Sequence, residues 1–111
     1  MQTRLRIYTL REGKGDEFVQ RWTETLVPLR RKLGFEVLGA WRVPDRREFV
    51  WIVGWPGEGS YDDAERAYYE SPLRKEIPWR AEDFIEAADI RTIEAVEGFG
   101  DPAEASRGPI L

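Results

Sequence analysis

The chain of 111 residues carries 17 Lys and Arg against 21 Asp and Glu, a formal net charge of −4. This balance weakens the long-range attraction for phosphate on which nucleic-acid binding depends. The chain has no cysteine and no histidine, which excludes disulfides, thiolate chemistry, Ser-His-Asp catalysis and His-ligated zinc or haem. No apolar run approaches the roughly 20 residues that span a bilayer, and the start is no secretory signal. We therefore expect a soluble cytoplasmic protein with no membrane segment and no nucleic-acid partner.

The first third of the chain predicts a strand followed by a helix. Apolar residues alternate over residues 3–10, as in a strand. Asp16 can cap a following helix, and Gly34 can end it in a left-handed conformation. Pro28 predicts a kink, and we expect the basic run 30–32 to be solvated at the helix end. The predicted apolar stripe consists of Phe18, Trp22, Leu26, Leu29 and Leu33.

A hairpin is predicted next. Residues 35–43 and 49–55 have strand character, with turn residues at 44–47 between them. The second of these strands is apolar on both faces, because Phe49, Trp51, Val53 and Trp55 alternate with Val50, Ile52 and Gly54. Such a strand is expected to be covered on both sides.

The rest of the chain predicts a second helical region and a last strand. A helix begins at Ser60 or Asp62, and short helical pieces continue to Glu86. Residues 89–96 have the length and β-branched content of a strand. We therefore expect one domain over residues 1–97, followed by a flexible or surface-laid tail over 98–111.

The order βαββαβ predicts an α+β ferredoxin-like subunit, a four-stranded antiparallel sheet with two helices on one face. We expect the aliphatic side, with Leu5, Ile7, Val50 and Ile52, to lie beneath the helices. The aromatic side would then be open and too apolar for a monomer. A second copy placed face to face would cover it, which predicts a homodimeric barrel with a cavity between the sheets.

Several segments, in the right order, resemble NIPSNAP-family proteins. They are Leu5-Arg6-Ile7-Tyr8-Thr9-Leu10, Gly13-Lys14, Asp16-Glu17-Phe18, Pro28, Gly34-Phe35, Glu48-Phe49-Val50-Trp51 and Glu65-Arg66-Ala67-Tyr68-Tyr69-Glu70-Ser71-Pro72. The resemblance covers about residues 3 to 96. It implies the dimeric α/β-barrel fold and a homodimer, in a family whose bacterial members mostly lack an assigned reaction.

Arg6 and Tyr8 are the candidate catalytic residues. Two positions apart on one strand, they project side by side into the proposed cavity. The guanidinium could bind a carboxylate or enolate, and the phenol could donate to the same oxygen or act as an acid. The alternative is structural: Arg6 pairs with a carboxylate across the dimer, and Tyr8 fills the barrel.

The predicted ligand cavity is lined by Arg6, Tyr8, Trp41, Phe49, Trp51 and Tyr69. The tryptophans and Phe49 could stack against a flat substrate, or they could form the hydrophobic seam of the dimer. No spacing pattern indicates a metal site, and no pair of carboxylates is placed inside, so we predict neither a metal nor a cofactor.

Three functions fit these residues. The first is a small-molecule enzyme, such as a cofactor-independent monooxygenase, isomerase or cyclase acting on an aromatic metabolite, with Arg6 stabilising an oxyanion. The second is a non-catalytic dimer that senses a metabolite or serves as a scaffold. The third is a single-strand RNA binder that stacks bases on Tyr8, Phe49 and Trp51, which the net charge of −4 argues against.

Overall fold

The computed structural model describes residues 1–99 and has four strands in one antiparallel sheet. They are β1 (Gln2–Leu10), β2 (Glu36–Val43), β3 (Glu48–Trp55) and β4 (Ile85–Ile93). Their spatial order, β2-β3-β1-β4, is that of a ferredoxin-like sheet, so the predicted fold class is confirmed. Residues 100–111 of the predicted tail lie outside the described residues.

Helices occupy the connection from β1 to β2 and the connection from β3 to β4. The first connection contains α1 (Gly15–Arg21), a π-helical turn (Trp22–Leu26) and α2 (Val27–Lys32). The second contains α3 (Tyr61–Glu70), α4 (Pro72–Lys75) and a 3₁₀ turn (Ala81–Asp83). No helix among residues 1–99 has the length and apolar character needed to cross a membrane.

Local capping signals predicted the helix ends with mixed success. Ser60 caps α3 as expected, since its hydroxyl accepts from the Asp63 N–H at 3.0 Å. Gly34 has the predicted left-handed conformation, with φ +95°. Asp16 does not cap α1, which begins one residue earlier; its carboxylate pairs with Arg42 at 2.6 Å instead.

Just before Pro28, where a kink is predicted, the structure has a π-helical turn over Trp22–Leu26. The Val27 N–H donates to the carbonyl of Trp22, five residues back, and Pro28 follows immediately without an N–H of its own. A π turn inserts one extra residue, so the residues after it are rotated by about 100° relative to a regular helix. Phe18, Trp22 and Leu29 of the predicted stripe are buried, and Leu26 and Leu33 are half-buried against the core. Val27 and Arg30, which the stripe did not include, are buried as well.

The predicted facing of the sheet is wrong. Phe49, Trp51 and Val53 are at most 2% exposed, and they lie beneath the helices with Tyr8 and Arg6. The register pairs Arg6 with Trp51 across the two central strands, so both side chains share this face. Large rings fill the space between the sheet and the helices because they bury more area than aliphatic side chains. The chain's own helices, not a second copy, thus cover most of the aromatic face.

The open face of the sheet carries the aliphatic residues instead. Ile7 pairs with Val50, and Leu5 with Ile52, and all four are half-buried. Trp41 pairs with Val50 on this same face and is 55% exposed. A cavity of about 400 Å³ lies here, between the sheet and the segment after β4, with Trp41, Ile52 and Phe99 in its lining.

Candidate functional site

Arg6 and Tyr8 form a buried pair on the helix side of β1. Arg6 is 6% exposed and Tyr8 is 7% exposed, and the Arg6 Nε donates to the Tyr8 hydroxyl at 2.8 Å. The predicted side-by-side projection of the pair is thus present, on the face opposite to the one predicted. Burial alone would lower the pKa of Arg6, but Tyr8, Tyr69 and Glu65 around it raise that pKa above its ordinary value. The Arg6 guanidinium therefore stays cationic.

Glu65 of α3 lies between two buried arginines. Its Oε2 accepts from the Arg6 Nη1 at 3.1 Å, and its Oε1 forms an ion pair with the Arg30 Nη2 at 2.6 Å. The carboxylate that balances Arg6 thus comes from the same chain, not from across a dimer as the structural alternative supposed. Because the Glu65 side chain is only 17% exposed, water screens these contacts weakly.

Arg30 is buried, which corrects the expectation that the basic run 30–32 is solvated. It is 3% exposed, and its guanidinium lies 3.7 Å from the centre of the Tyr68 ring and 4.8 Å from that of Phe35. The π turn rotates Arg30 towards the sheet, while Arg31 and Lys32 stay exposed. The Arg30 Nη1 has no hydrogen-bond partner among the residues that the structure describes.

Arg6, Tyr8, Glu65 and Arg30 form a buried cluster, which borders a small hollow between the sheet and the helices. Its volume is about 30 Å³. The hollow is lined in part by Tyr8, Leu26, Arg30, Trp51, Tyr69 and Arg74. The indole N–H of Trp51 is buried there and, within residues 1–99, has no hydrogen-bond partner. Tyr69 is 45% exposed, and its hydroxyl accepts from the Arg6 Nη2 at 3.3 Å. Tyr69 therefore forms part of the outer wall between the hollow and solvent.

The structure brings together four of the six predicted cavity residues. Tyr8, Trp51 and Tyr69 line the hollow, and Arg6 donates hydrogen bonds to both tyrosines. Phe49 packs deeper on the same face, against Trp22 and Phe18 with ring centres 4.8 and 5.3 Å apart. Trp41 lies on the open face, apart from the others.

Sequence reasoning missed Glu65 and Arg30. A signal for Glu65 was available, because Tyr61, Glu65 and Tyr68 are spaced i, i+4, i+7 and so share one helix face. Tyr61 and Tyr68 are both 2% exposed, which places Glu65 on the buried face of α3. For Arg30 the signal was Pro28, whose effect on helix phase could not be read from the sequence.

The chemistry of the hollow suits an anion rather than a metal. Guanidinium and indole N–H groups only donate hydrogen bonds, and phenols can donate one. Among residues 1–99, no three acidic side chains gather in a way that could hold a metal ion. A developing negative charge on oxygen would meet a fixed cation here in surroundings of low dielectric constant.

Comparisons with known proteins identify the fold. No family model matches the sequence, and no curated protein matches it. Solved structures do match: a NIPSNAP domain protein from Burkholderia xenovorans has a TM-score of 0.77 at 14% identity, covering 91% of this chain and all of that one. A NIPSNAP family protein of unknown function from Agrobacterium tumefaciens has a TM-score of 0.75 at 15% identity, covering 92% of each chain.

A monooxygenase-like protein from Lactobacillus acidophilus shares the fold more distantly. Its TM-score is 0.64 at 15% identity, and the match covers 82% of this chain and 42% of that one. At these identities a structural likeness establishes architecture and not activity. The resemblance seen in the sequence motifs is thus confirmed at the level of the fold: this chain has the α+β fold of NIPSNAP proteins.

Proposed function

We propose that this protein binds a small organic molecule, an aromatic metabolite, in the hollow beneath its helices and converts it without a cofactor. The observation that carries the proposal is the buried Arg6–Tyr8 pair beside an aromatic-walled hollow. The reaction types that suit it are cofactor-independent monooxygenation and isomerisation. The monooxygenase-like neighbour supports the first of these through its shared fold.

Arg6 and Tyr8 have complementary roles in such a reaction. The Tyr8 hydroxyl accepts from Arg6, so its own proton is free to point at another acceptor. A substrate oxygen at this place would receive that hydrogen bond and the field of the adjacent guanidinium, which stabilises an enolate or phenolate as it forms. In cofactor-free oxygenation the substrate itself supplies the electrons, so stabilising this anion is the main task of the protein.

The size of the hollow limits how a ligand enters. A volume of about 30 Å³ admits one polar group of a ligand, but not an aromatic ring. The rest of the ligand must displace the side chains that separate the hollow from solvent. These are Tyr69, which is partly exposed, and Arg74, which is half-buried. We infer that these two side chains move aside when a ligand binds.

Replacement of Tyr8 by Phe tests the proposed chemistry. With a dihydroxynaphthalene as substrate and oxygen uptake as readout, we expect Tyr8→Phe to lower turnover by about 100-fold or more, because a positioned acid or hydrogen-bond donor is lost. Tyr61→Phe is the matched control, since Tyr61 does not line the hollow. Equal turnover in Tyr8→Phe and the wild type would remove Tyr8 from the mechanism.

Binding without conversion is the second candidate function. It is favoured by the pairing of Glu65 with two arginines, because Arg6 and Arg30 already contact both oxygens of this carboxylate. A metabolite that raises the melting temperature and is recovered unchanged would support a sensor or scaffold. Its chemical conversion would support the enzyme.

The RNA alternative loses its basis, because Tyr8, Phe49 and Trp51 are buried beneath the helices.

We also propose that the protein is a homodimer that pairs through the open face of its sheet. The reason differs from the one predicted, since the aromatic residues are already covered. What remains is an aliphatic face with the 55% exposed Trp41 at its surface, more apolar than a solvated sheet face normally is.

Sedimentation tests the proposed dimer. We expect the wild type to sediment as a dimer and Trp41→Glu as a folded monomer, because a charge would be buried between the sheets. Leu73→Glu is the control, since Leu73 lies on α4 and is 38% exposed. A wild-type protein that stays monomeric at high concentration would contradict the proposal.

A further inference from the structure

The buried cluster beneath the helices has an uncompensated positive charge. It contains the two guanidiniums of Arg6 and Arg30, which are 6% and 3% exposed, and the single carboxylate of Glu65. Arginine side chains remain protonated in proteins, so the cluster carries one positive charge in excess. A buried charge without a partner is costly, which favours a site that receives an anion.

Three N–H groups of residues that line the hollow have no hydrogen-bond partner within residues 1–99, and one of them is the Arg74 Nε at the outer wall. The Arg30 Nη1 and the Trp51 Nε1 are buried without a hydrogen-bond partner in the part of the chain that the structure describes. Both residues line the hollow, and the Arg30 guanidinium lies 5.6 Å from the centre of the Trp51 ring. Glu65 already occupies the other Arg30 terminus, so the free Nη1 is available to a further acceptor.

From these observations we propose that the ligand of this site is an organic monoanion, and that Arg30 is the residue that binds its charged oxygen. The ligand is a carboxylate, a phenolate or an enolate whose anionic group fits the hollow. Its apolar part occupies the space that the side chains of Tyr69 and Arg74 leave when they move aside. Arg30 donates from Nη1, and Trp51 donates from its indole N–H. This inference rests on the proposed function, and it adds the charge of the ligand and a binding residue.

The test compares benzoate with benzamide, which has nearly the same shape and no charge. Titrations of the full-length protein followed by the indole ¹H–¹⁵N resonances are expected to show benzoate binding at least about tenfold more tightly than benzamide. The Trp51 indole resonance, assigned with Trp51→Phe, is expected to shift with benzoate. The expected preference disappears in Arg30→Met and persists in Arg31→Met, whose side chain is exposed.

Each outcome has a separate meaning for the two proposals. Equal binding of benzamide and benzoate would overturn the anion assignment while leaving a small-molecule site in place. Binding of neither compound, or benzoate binding without a shift of the Trp51 indole, would also overturn it. Turnover of a neutral substrate in the oxygen-uptake assay would then still support the proposed function. Should Arg30→Met fail to fold, the wild-type indole shift decides the question alone.

Discussion

Glu65→Gln is expected to destabilise the fold by about 3–5 kcal/mol. The substitution keeps the shape of the side chain but leaves Arg6 and Arg30 as two buried cations without a counter-charge. Chemical denaturation measures the effect through the midpoint and slope of unfolding. Glu70→Gln on the same helix is the control, because Glu70 is exposed and its replacement should change stability by about 0.5 kcal/mol or less.

A double variant isolates the cause of this loss. Arg30→Met in the Glu65→Gln background removes one of the two unbalanced cations, so much of the lost stability should return. The coupling between the two substitutions, obtained from a double-mutant cycle, should then exceed about 1 kcal/mol. A Glu65→Gln protein as stable as the wild type would mean that the carboxylate does not hold this cluster together.

Phe49→Ala is expected to cost about 3–5 kcal/mol of unfolding free energy, the usual range for removing a buried ring. Phe49 is 2% exposed and packs between Trp22 and Phe18. Trp41→Ala is the comparison, since Trp41 is 55% exposed on the other face. At dilutions where only monomer is present, it should cost less than about 1 kcal/mol. The reverse ranking would mean that the aromatic residues of β3 face away from the helices.

The order of elements was predictable because the signals for it are local. Alternation in the first strand, the Ser60 cap and Gly34 all depend on neighbouring residues. The start of β4 was not predictable in this way. Residues 85–88 have little β-branched character, and β4 begins at Ile85 because it pairs there with Leu10 of β1.

Which face of the sheet the helices cover, and which residues form the site, depend on tertiary contacts that the sequence pattern does not show. β3 is apolar on both sides, so its pattern could not say which side the helices cover. Arg30 enters the site because of a change in helix phase before Pro28. Glu65 meets Arg6 from 59 positions along the chain. The Arg6–Tyr8 pair was predictable because a strand places residues i and i+2 on one face, whichever face that is.

A crystal structure of the protein with bound benzoate tests the central claim most directly. We expect the benzoate carboxylate to lie beneath the helices, within hydrogen-bond distance of the Arg30 Nη1 and close to the Tyr8 hydroxyl. Benzoate found on the open face beside Trp41, or between the sheets of two copies, would contradict a site built from Arg6, Arg30 and Glu65.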